Sequence, residues 1–513
     1  MYRHPFSFIA TVAATLLFHG PAAHAGDASA DAAWAKLPEI IERIVPPTFP
    51  AAEFPITRFG AVNGGEVDCT KAIAAAIEAC AKAGGGRVVV PAGKFLTGPI
   101  HLRSKIELHV SEGSELIFSG RFEDYLPVVQ VRVGGIDCFN YSPLIYAKDC
   151  TDVAITGKGK LNGNSANWWK WKGKETVEHF RMGAERVPLE KRIFGTPEAA
   201  IRPNFVVLLN CRNILLEDFT IGSGPNWTIH PVYSENITIR RVTVETDGPN
   251  NDGIDPDSCR DLLIEHCTFS TGDDCVVLKS GYNEDGRSVG KPTENVIMRH
   301  CSSKHGHGGL VIGSEMSGDV RNVFMHDCEF DGTDRAIRIK SRRDRGGVVE
   351  KIYARDIKVR NMVREVVILN MDYSADKSAL KVVDPPVFRD MCFERITAEG
   401  APVAVRITGD PKASIEHIRF RDMNLSTEEG VVVKCAKNLS FEDIRLDVAE
   451  GPMFDLDAVS GASIRNVTTT RAPESFLKLE GSNSSGIEVV SCPAAKEGIA
   501  LGEQVSKRAL TVE

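Results

Sequence analysis

A ten-residue pattern recurs through much of this 513-residue chain and leaves few folds open. Arg212-Asn213-Ile214-Leu215-Leu216-Glu217-Asp218-Phe219-Thr220-Ile221 opens on a polar pair, alternates apolar residues, returns to a polar pair and closes on apolar sites. The same order starts again at Glu235-Asn236, Arg260-Asp261, Glu294-Asn295, Arg321-Asn322, Arg389-Asp390 and Lys437-Asn438. From Asn213 the steps to Asn236, Asp261, Asn295 and Asn322 are 23, 25, 34 and 27 residues. Periods of that size, built from two-residue alternation, mean short strands stacked coil on coil. The expected fold is all-β: a single-stranded right-handed parallel β-helix of roughly ten coils, a solenoid whose coils bury their apolar faces against their neighbours. Earlier coils lie around Ile106 to Phe118 and Val153 to Leu161, and later ones continue through Ile464.

A solenoid needs its first open edge covered. Asp68 to Gly86 reads as a capping helix: Asp68 or Thr70 starts it, Ile73, Ile77 and Cys80 form its apolar face, and Gly84-Gly85-Gly86 ends it. Arg87 to Pro91 then reads as the first strand. Ahead of this, Arg3 and His4, the apolar run Phe6 to Phe18 and Ala23-His24-Ala25 form a secretory signal pattern. The expected organisation is a signal peptide over 1–25, a leader over 26–52 that wraps the fold or stays mobile, and one β-helix domain over 53–513. Cleavage near Ala25 would export the chain to the periplasm or beyond, and no later apolar run is long enough for a membrane span. A formal charge of −8 argues against nucleic acid or an anionic membrane as partner, and a monomer is expected.

Thirteen cysteines in an exported chain raise the question of disulfides. Cys267, Cys301 and Cys328 fall at the repeat position that Phe219 and Val242 fill elsewhere, so they read as apolar fillers of one interior column, leaving room for one or two bridges elsewhere. Two stretches break the period: Ser280 to Arg287, inside the longest step, and Gly163 to Ala200, with Trp168, Trp169 and Trp171. Insertions on a solenoid collect on its binding face, so both are expected to wall a cleft.

Between Asn250 and Lys340 lie four polar constellations: Asn250-Asn251-Asp252-Gly253, Gly272-Asp273-Asp274-Cys275, Gly306-His307-Gly308 and Arg338-Ile339-Lys340. Asp252 and Asp273 are 21 residues apart, about one coil, which puts them on neighbouring rungs. Rungs spaced about 4.8 Å apart let offset carboxylates reach the roughly 6.5–9.5 Å at which an inverting glycosidase fits a water. Asp274 crowds Asp273, and crowded carboxylates resist losing both protons, which raises one pKa into the range of a general acid. The plainer reading, that Asp and Asn line turns to bond the backbone, accounts poorly for the adjacent pair. Neighbouring strand residues point to opposite faces, so two charges side by side require a bend. A hand-type calcium loop around Gly253 fails, because Gly248 and Cys259 stand where its ligands belong. His307 is flanked by glycines, although His305 makes its assignment ambiguous. Arg338 and Lys340 share a strand face and can hold a uronate carboxylate.

Together these motifs resemble glycoside hydrolase family 28, the polygalacturonases, whose Asn-Thr-Asp, Gly-Asp-Asp, Gly-His-Gly and Arg-Ile-Lys appear here in order. The resemblance runs from about Phe59 to Val459 and includes Pro225-Asn226-Trp227. It implies that Asp273 is the general acid, that Asp252 and Asp274 activate water, and that His307 tunes the acid. It further implies that Arg338 and Lys340, with Asn250, bind the substrate, and that no metal or other cofactor takes part. The substrate would be an acidic polysaccharide or oligogalacturonide, hydrolysed at α-1,4-galacturonosidic bonds. Lys279 to Arg287 looks like bacterial exo-acting members. In that case the tryptophans would stack on a terminal sugar, and Arg287 and Lys291 would hold an extra carboxylate at a closed end. Asn251 in place of Thr and the added Gly309 resemble bacterial members. The alternatives are a hydrolase of rhamnogalacturonan or modified galacturonate, a non-catalytic carbohydrate-binding β-helix, and a calcium-dependent lyase on the same fold.

Overall fold

A computed structural model describes residues 25–373, 385–413 and 415–513. Apart from Ala25, the expected signal peptide lies outside the described residues. The chain forms a right-handed parallel β-helix. The reason for the sequence repeat lies in its opening pair. Asn213, Asn236, Asp261, Asn295 and Asn322 all take φ between 54° and 57°, a left-handed conformation that Asn and Asp tolerate better than other side chains. Each turns the chain from one strand into the next, and their side chains bond up the stack: Asn236 donates to Asn213 at 2.7 Å, and Asn295 to Asp261 at 2.9 Å. Beside them Arg212, Glu235, Arg260, Glu294, Arg321 and Glu350 lie in register and alternate in sign. Single surface pairs of this kind contribute at most about 1 kcal/mol, but a slip by one rung would set like charges opposite.

Inside, one core runs from Ile56 to Ala509, with stacked rings at Phe393, Phe420 and Phe441 spaced 5.3 and 5.2 Å. The stack extends past Ile464 through strands Ser475–Glu480, Ser485–Val490, Ile499–Leu501 and Leu510–Val512. Gly461 and Gly486 hold the left-handed turn position there, at φ 77° and 65°, so the polar signature vanishes from the sequence while the coil remains. All thirteen cysteines are free and buried. Cys267, Cys301 and Cys328 do fill one column, and no bridge forms elsewhere.

The expected leader packs on the solenoid. Helices α1 (Ala25–Ala35) and α2 (Leu37–Arg43) lie along the outside of the solenoid. Trp34, Leu37, Ile40 and Ile44 pack on Leu263, Ile297, Phe324 and Tyr353. The Asn236 amide clasps the Val45 backbone N–H and C=O, both at 2.9 Å. Helix α3 (Thr70–Lys82) caps the first coil and buries Ile73, Ile77 and Cys80 as expected. Asp68 holds its start by accepting from the Thr70 amide at 2.9 Å.

Three inserts leave the solenoid on one face. An antiparallel hairpin pairs Val129–Val133 with Ile136–Asn140. The Gly163 to Ala200 excursion carries α4 (Ala166–Trp169) and α5 (Glu178–Ala184), and the later loop carries α6 (Asn283–Val289). The hairpin's Val131 and Cys138 cover Tyr146, Val207, Leu209 and Val232, which point outward from successive rungs of one sheet.

Candidate active site

That same sheet carries the four polar motifs. Its rungs follow as Ile254 to Val276 to Leu310 to Ile337, hydrogen-bonded in parallel. Asp252, Asp274 and Gly308 each lie two residues before their rung's first core residue. The turns into three consecutive rungs therefore present Asp252, the Asp273-Asp274 pair and His307 side by side. The chain bends at Gly272 and Asp273, which lets both aspartates face outward before Cys275 enters the core. Gly306 takes φ 146°, and a Cβ there would meet Thr271 Oγ1 at 2.6 Å and Cys275 Sγ at 2.7 Å, so only glycine brings His307 this close.

His307 Nδ1 lies 2.9 Å from Asp273 Oδ1, and the two side chains are 46% and 20% exposed, open to the cleft. His305 instead bonds the Thr271 carbonyl at 2.8 Å. Arg338 Nη1 and Lys340 Nζ reach Asp274 at 3.2 and 2.7 Å from the strand face opposite the buried Ile337 and Ile339. Asn250 Nδ2 donates to Asp273 Oδ2 at 3.4 Å. Asn251 bonds the carbonyls of Gly224 and Asn226, both at 3.0 Å, locking its turn to the Pro225-Asn226-Trp227 turn.

Charge is distributed differently from the expectation. Asp274 does not push a proton onto Asp273, because two cations already sit on Asp274. Burial tends to raise Asp273, but the His307 hydrogen bond and the Lys340 and Lys279 ammonium groups outweigh it and hold the carboxyl below its usual range. Asp252 is raised well above its usual range, through burial first and then the neighbouring Asp273 and Asp255, and burial raises Asp255 likewise. The imidazole of His307 is raised by its bond to Asp273. Were Asp273 to act as a general acid, the proton it donates would be shared with His307. Replacing His307 with Gln keeps a hydrogen bond but cannot carry that proton. Because a raised imidazole keeps its proton until the pH passes its folded pKa, the alkaline limb of kcat/KM in His307→Gln should move down by roughly one pH unit or more. An alkaline limb that stays in place would show that His307 only orients the acid.

Several residues that the motifs did not flag complete the site. Lys279, 4% exposed, has its ammonium 3.1 Å from Glu315, 3.7 Å from Asp255 and 4.0 Å from Asp252, over the Trp227 ring at 4.1 Å. Tyr373 lies over Arg338 and Lys340 at 5.4 and 5.0 Å. Two-residue spacing along the rung would have aligned Lys279 with Val277 on the outer face, but its run reads as an ordinary buried strand. Asp273, Asp274 and His307 bring ligand atoms within 4.8 Å of one another. Arg338 and Lys340 occupy the Asp274 carboxylate a metal would need, so the donor set does not suit one. Around Asn250 to Asp257 the acidic groups face Lys279 and Arg132 instead of an open cavity.

Other expected site residues lie elsewhere. Arg287 donates to the carbonyls of Asp344 and Arg345 at 3.3 and 2.6 Å and pairs with Glu284, so its guanidinium ties α6 to the adjoining loop and is not offered to substrate. Lys291 lies over the Tyr233 ring at 5.0 Å. Trp168 and Trp171 are buried with Phe122, Tyr125 and Tyr141 and cannot stack on a sugar. Trp169 seats the insert by donating to Gly224 O at 2.9 Å.

A sequence profile of glycosyl hydrolases family 28 matches residues 80–442. The chain belongs to that family. It is a glycoside hydrolase. Among its relatives, a probable polygalacturonase of Vitis vinifera is 32% identical over 370 residues, covering 69% of this chain and 70% of the relative. An exo-poly-alpha-D-galacturonosidase of Dickeya chrysanthemi is 26% identical over 403 residues, with 72% and 66% covered. The crystal structure of a hyperthermoactive exopolygalacturonase from Thermotoga maritima superposes with a TM-score of 0.73 at 39% identity, covering 85% of this chain and 96% of that one.

Proposed function

We propose that this family 28 hydrolase removes sugars from one end of polygalacturonate by cleaving α-1,4-galacturonosidic bonds with inversion. The Asp273–His307 pair gives its proton to the leaving glycosidic oxygen. A water held by Asp252 and Asp274 attacks the anomeric carbon from the opposite face and passes its proton to Asp252, which Lys279 helps to keep ionised. Arg338 and Lys340 bind a uronate carboxylate, shared with Asp274.

The observation that carries the exo reading is the interlocking of the three inserts into one wall. Arg132 of the hairpin is fully buried, 3.2 Å from Asp257 and 3.1 Å from Ser258, on the rung before Lys279. Arg192 reaches Asp285 of α6 at 2.8 Å, and Phe180 of α5 packs on Tyr282 at 4.5 Å. On the other side of the catalytic rungs the same sheet presents the half-buried Arg406 and the exposed Lys434 to solvent. Among the described residues the cleft is stopped at one end and open at the other, which admits a chain terminus.

Early digests of polygalacturonate should contain galacturonate or one short oligomer while viscosity falls slowly. A broad early ladder with a rapid drop in viscosity would overturn the exo reading and leave the catalytic assignments in place. Ultraviolet absorbance with and without chelator separates hydrolase from lyase, since only a lyase makes unsaturated, absorbing products. No helix among the described residues is long and apolar enough to cross a membrane. Export through the 1–25 signal peptide, with cleavage near Ala25, and action as a monomer belong to the same proposal.

A further inference from the structure

The wall carries a feature that the catalytic scheme does not use. From α4 the insert runs over the cleft to Lys172, whose ammonium reaches Asn250 Oδ1 at 2.5 Å. The same oxygen accepts from Arg202 Nη2 at 2.8 Å. Asn250 in turn touches Asp273, so one amide separates these two cations from the acid. Arg202 is 4% exposed, donates from Nη1 to the carbonyls of Pro225 and Pro249 at 3.1 and 2.7 Å, and leaves its Nε without a partner. Its counter-ion is Glu175 at 3.1 Å. Among the described residues no carboxylate pairs with Lys172, which is exposed beside Asn250. The patch therefore carries one uncompensated positive charge. A site that already has Arg338 and Lys340 on the open side of Asp273 gains little catalytically from a second cationic pole on the walled side, unless the substrate brings a second negative charge there.

Polygalacturonate brings one, since each sugar carries a carboxylate, one on either side of the scissile bond. We propose that Lys172, backed by Arg202, is the binding site for the carboxylate of the galacturonate on the walled side of that bond, the terminal sugar released in exo attack. This assignment rests on the exo reading. Trp169 fixes the approach by packing against Gly248, where an added Cβ would fall 2.4 Å from its ring, so Lys172 is held in place over the turn that carries Asn250. Lys172 supplies charge and selectivity for an acidic sugar; it does not touch the reacting atoms.

The test compares two ligands on intact protein carrying Asp273→Asn, which binds without turning over. One is trigalacturonate. The other is the same trimer with its non-reducing-end carboxyl reduced to a hydroxymethyl group. Adding Lys172→Ala should raise the Kd for trigalacturonate roughly 10- to 100-fold, the range for a hydrogen bond to a charged group, and change the Kd for the reduced trimer by less than about 3-fold. Lys172→Arg should restore most of the preference for the acid. An equal loss on both ligands would mean that Lys172 only props Asn250, and no loss on the acid would remove the carboxylate from this wall. Either result overturns the assignment. The product profile of the unaltered enzyme decides the exo reading separately, because it does not depend on Lys172.

Discussion

Asp273→Asn should lower kcat on polygalacturonate by roughly 10³-fold or more, with KM little changed and the fold intact. The amide has nearly the shape of the carboxyl and can still accept from His307 Nδ1, so the turn at Gly272 keeps its geometry. It gives up the attraction of the ionised carboxyl for His307, Lys340 and Lys279, so stability at neutral pH should fall somewhat while the fold stays intact. What it cannot do is release a proton to the departing oxygen. A second substrate makes the assignment specific. A nitrophenyl galacturonide leaves as a stabilised phenolate and needs no protonation, so the variant should lose far less rate on it than on the polymer. If both substrates lost rate equally, Asp273 would be acting on the water, and the acid would have to be sought elsewhere among Asp252 and Asp274.

The reading of the sequence succeeded where one residue type answers to one backbone demand. The left-handed turn wants Asn or Asp, and stacking wants alternating apolar residues, so coils from Arg212 to Asn438 could be counted from the page. It weakened where glycine met the same demand, as at Gly461 and Gly486, because glycine carries no pattern of its own. The hairpin too is legible: Val131-Arg132-Val133-Gly134-Gly135-Ile136-Asp137-Cys138 is alternation around a two-glycine turn, a strong short-range hairpin signal. Helices α1 and α2 span 11 and 7 residues, too short for a helical period to stand out. The four site motifs told which groups would meet but not which would neutralise which. That depends on side chains brought together from far apart in sequence, such as Lys340 on Asp274 across 66 residues, and on Lys279, whose importance lies wholly in what packs around it.

Lys279 supports the second large expected effect. Its ammonium is the cation nearest to Asp252 and Asp255, and Asp255 is fully buried with both oxygens lacking a hydrogen-bond donor. Lys279→Met fills similar space without charge and leaves Asp252, Asp255 and Glu315 facing one another. Removing one partner from a buried ionic cluster costs roughly 3–5 kcal/mol, which a fall in the urea midpoint at pH 7 would report. The pH dependence gives the mechanism. Burial alone would raise Glu315, but Lys279, with help from Arg345 and Lys340, pulls it down to about 2. A depressed carboxyl stabilises the fold above its unfolded value, near 4.3, and that contribution disappears as the pH falls through its folded value. Most of it is missing from the variant at every pH. The gap in midpoint between the parent enzyme and Lys279→Met should therefore be widest at neutral pH, begin to narrow below about pH 4.3, be smaller at pH 3 and close only as the pH falls through about 2, where folded Glu315 also takes up its proton. Activity should report the same charge. With Lys279 gone, Asp252 ionises less readily, so the acidic limb of kcat/KM moves to higher pH. A gap in midpoint that is the same at pH 7 and pH 3 would mean that Met packs badly and that charge was never at issue. An acidic limb that does not move would separate Lys279 from the base and leave it a purely structural cation.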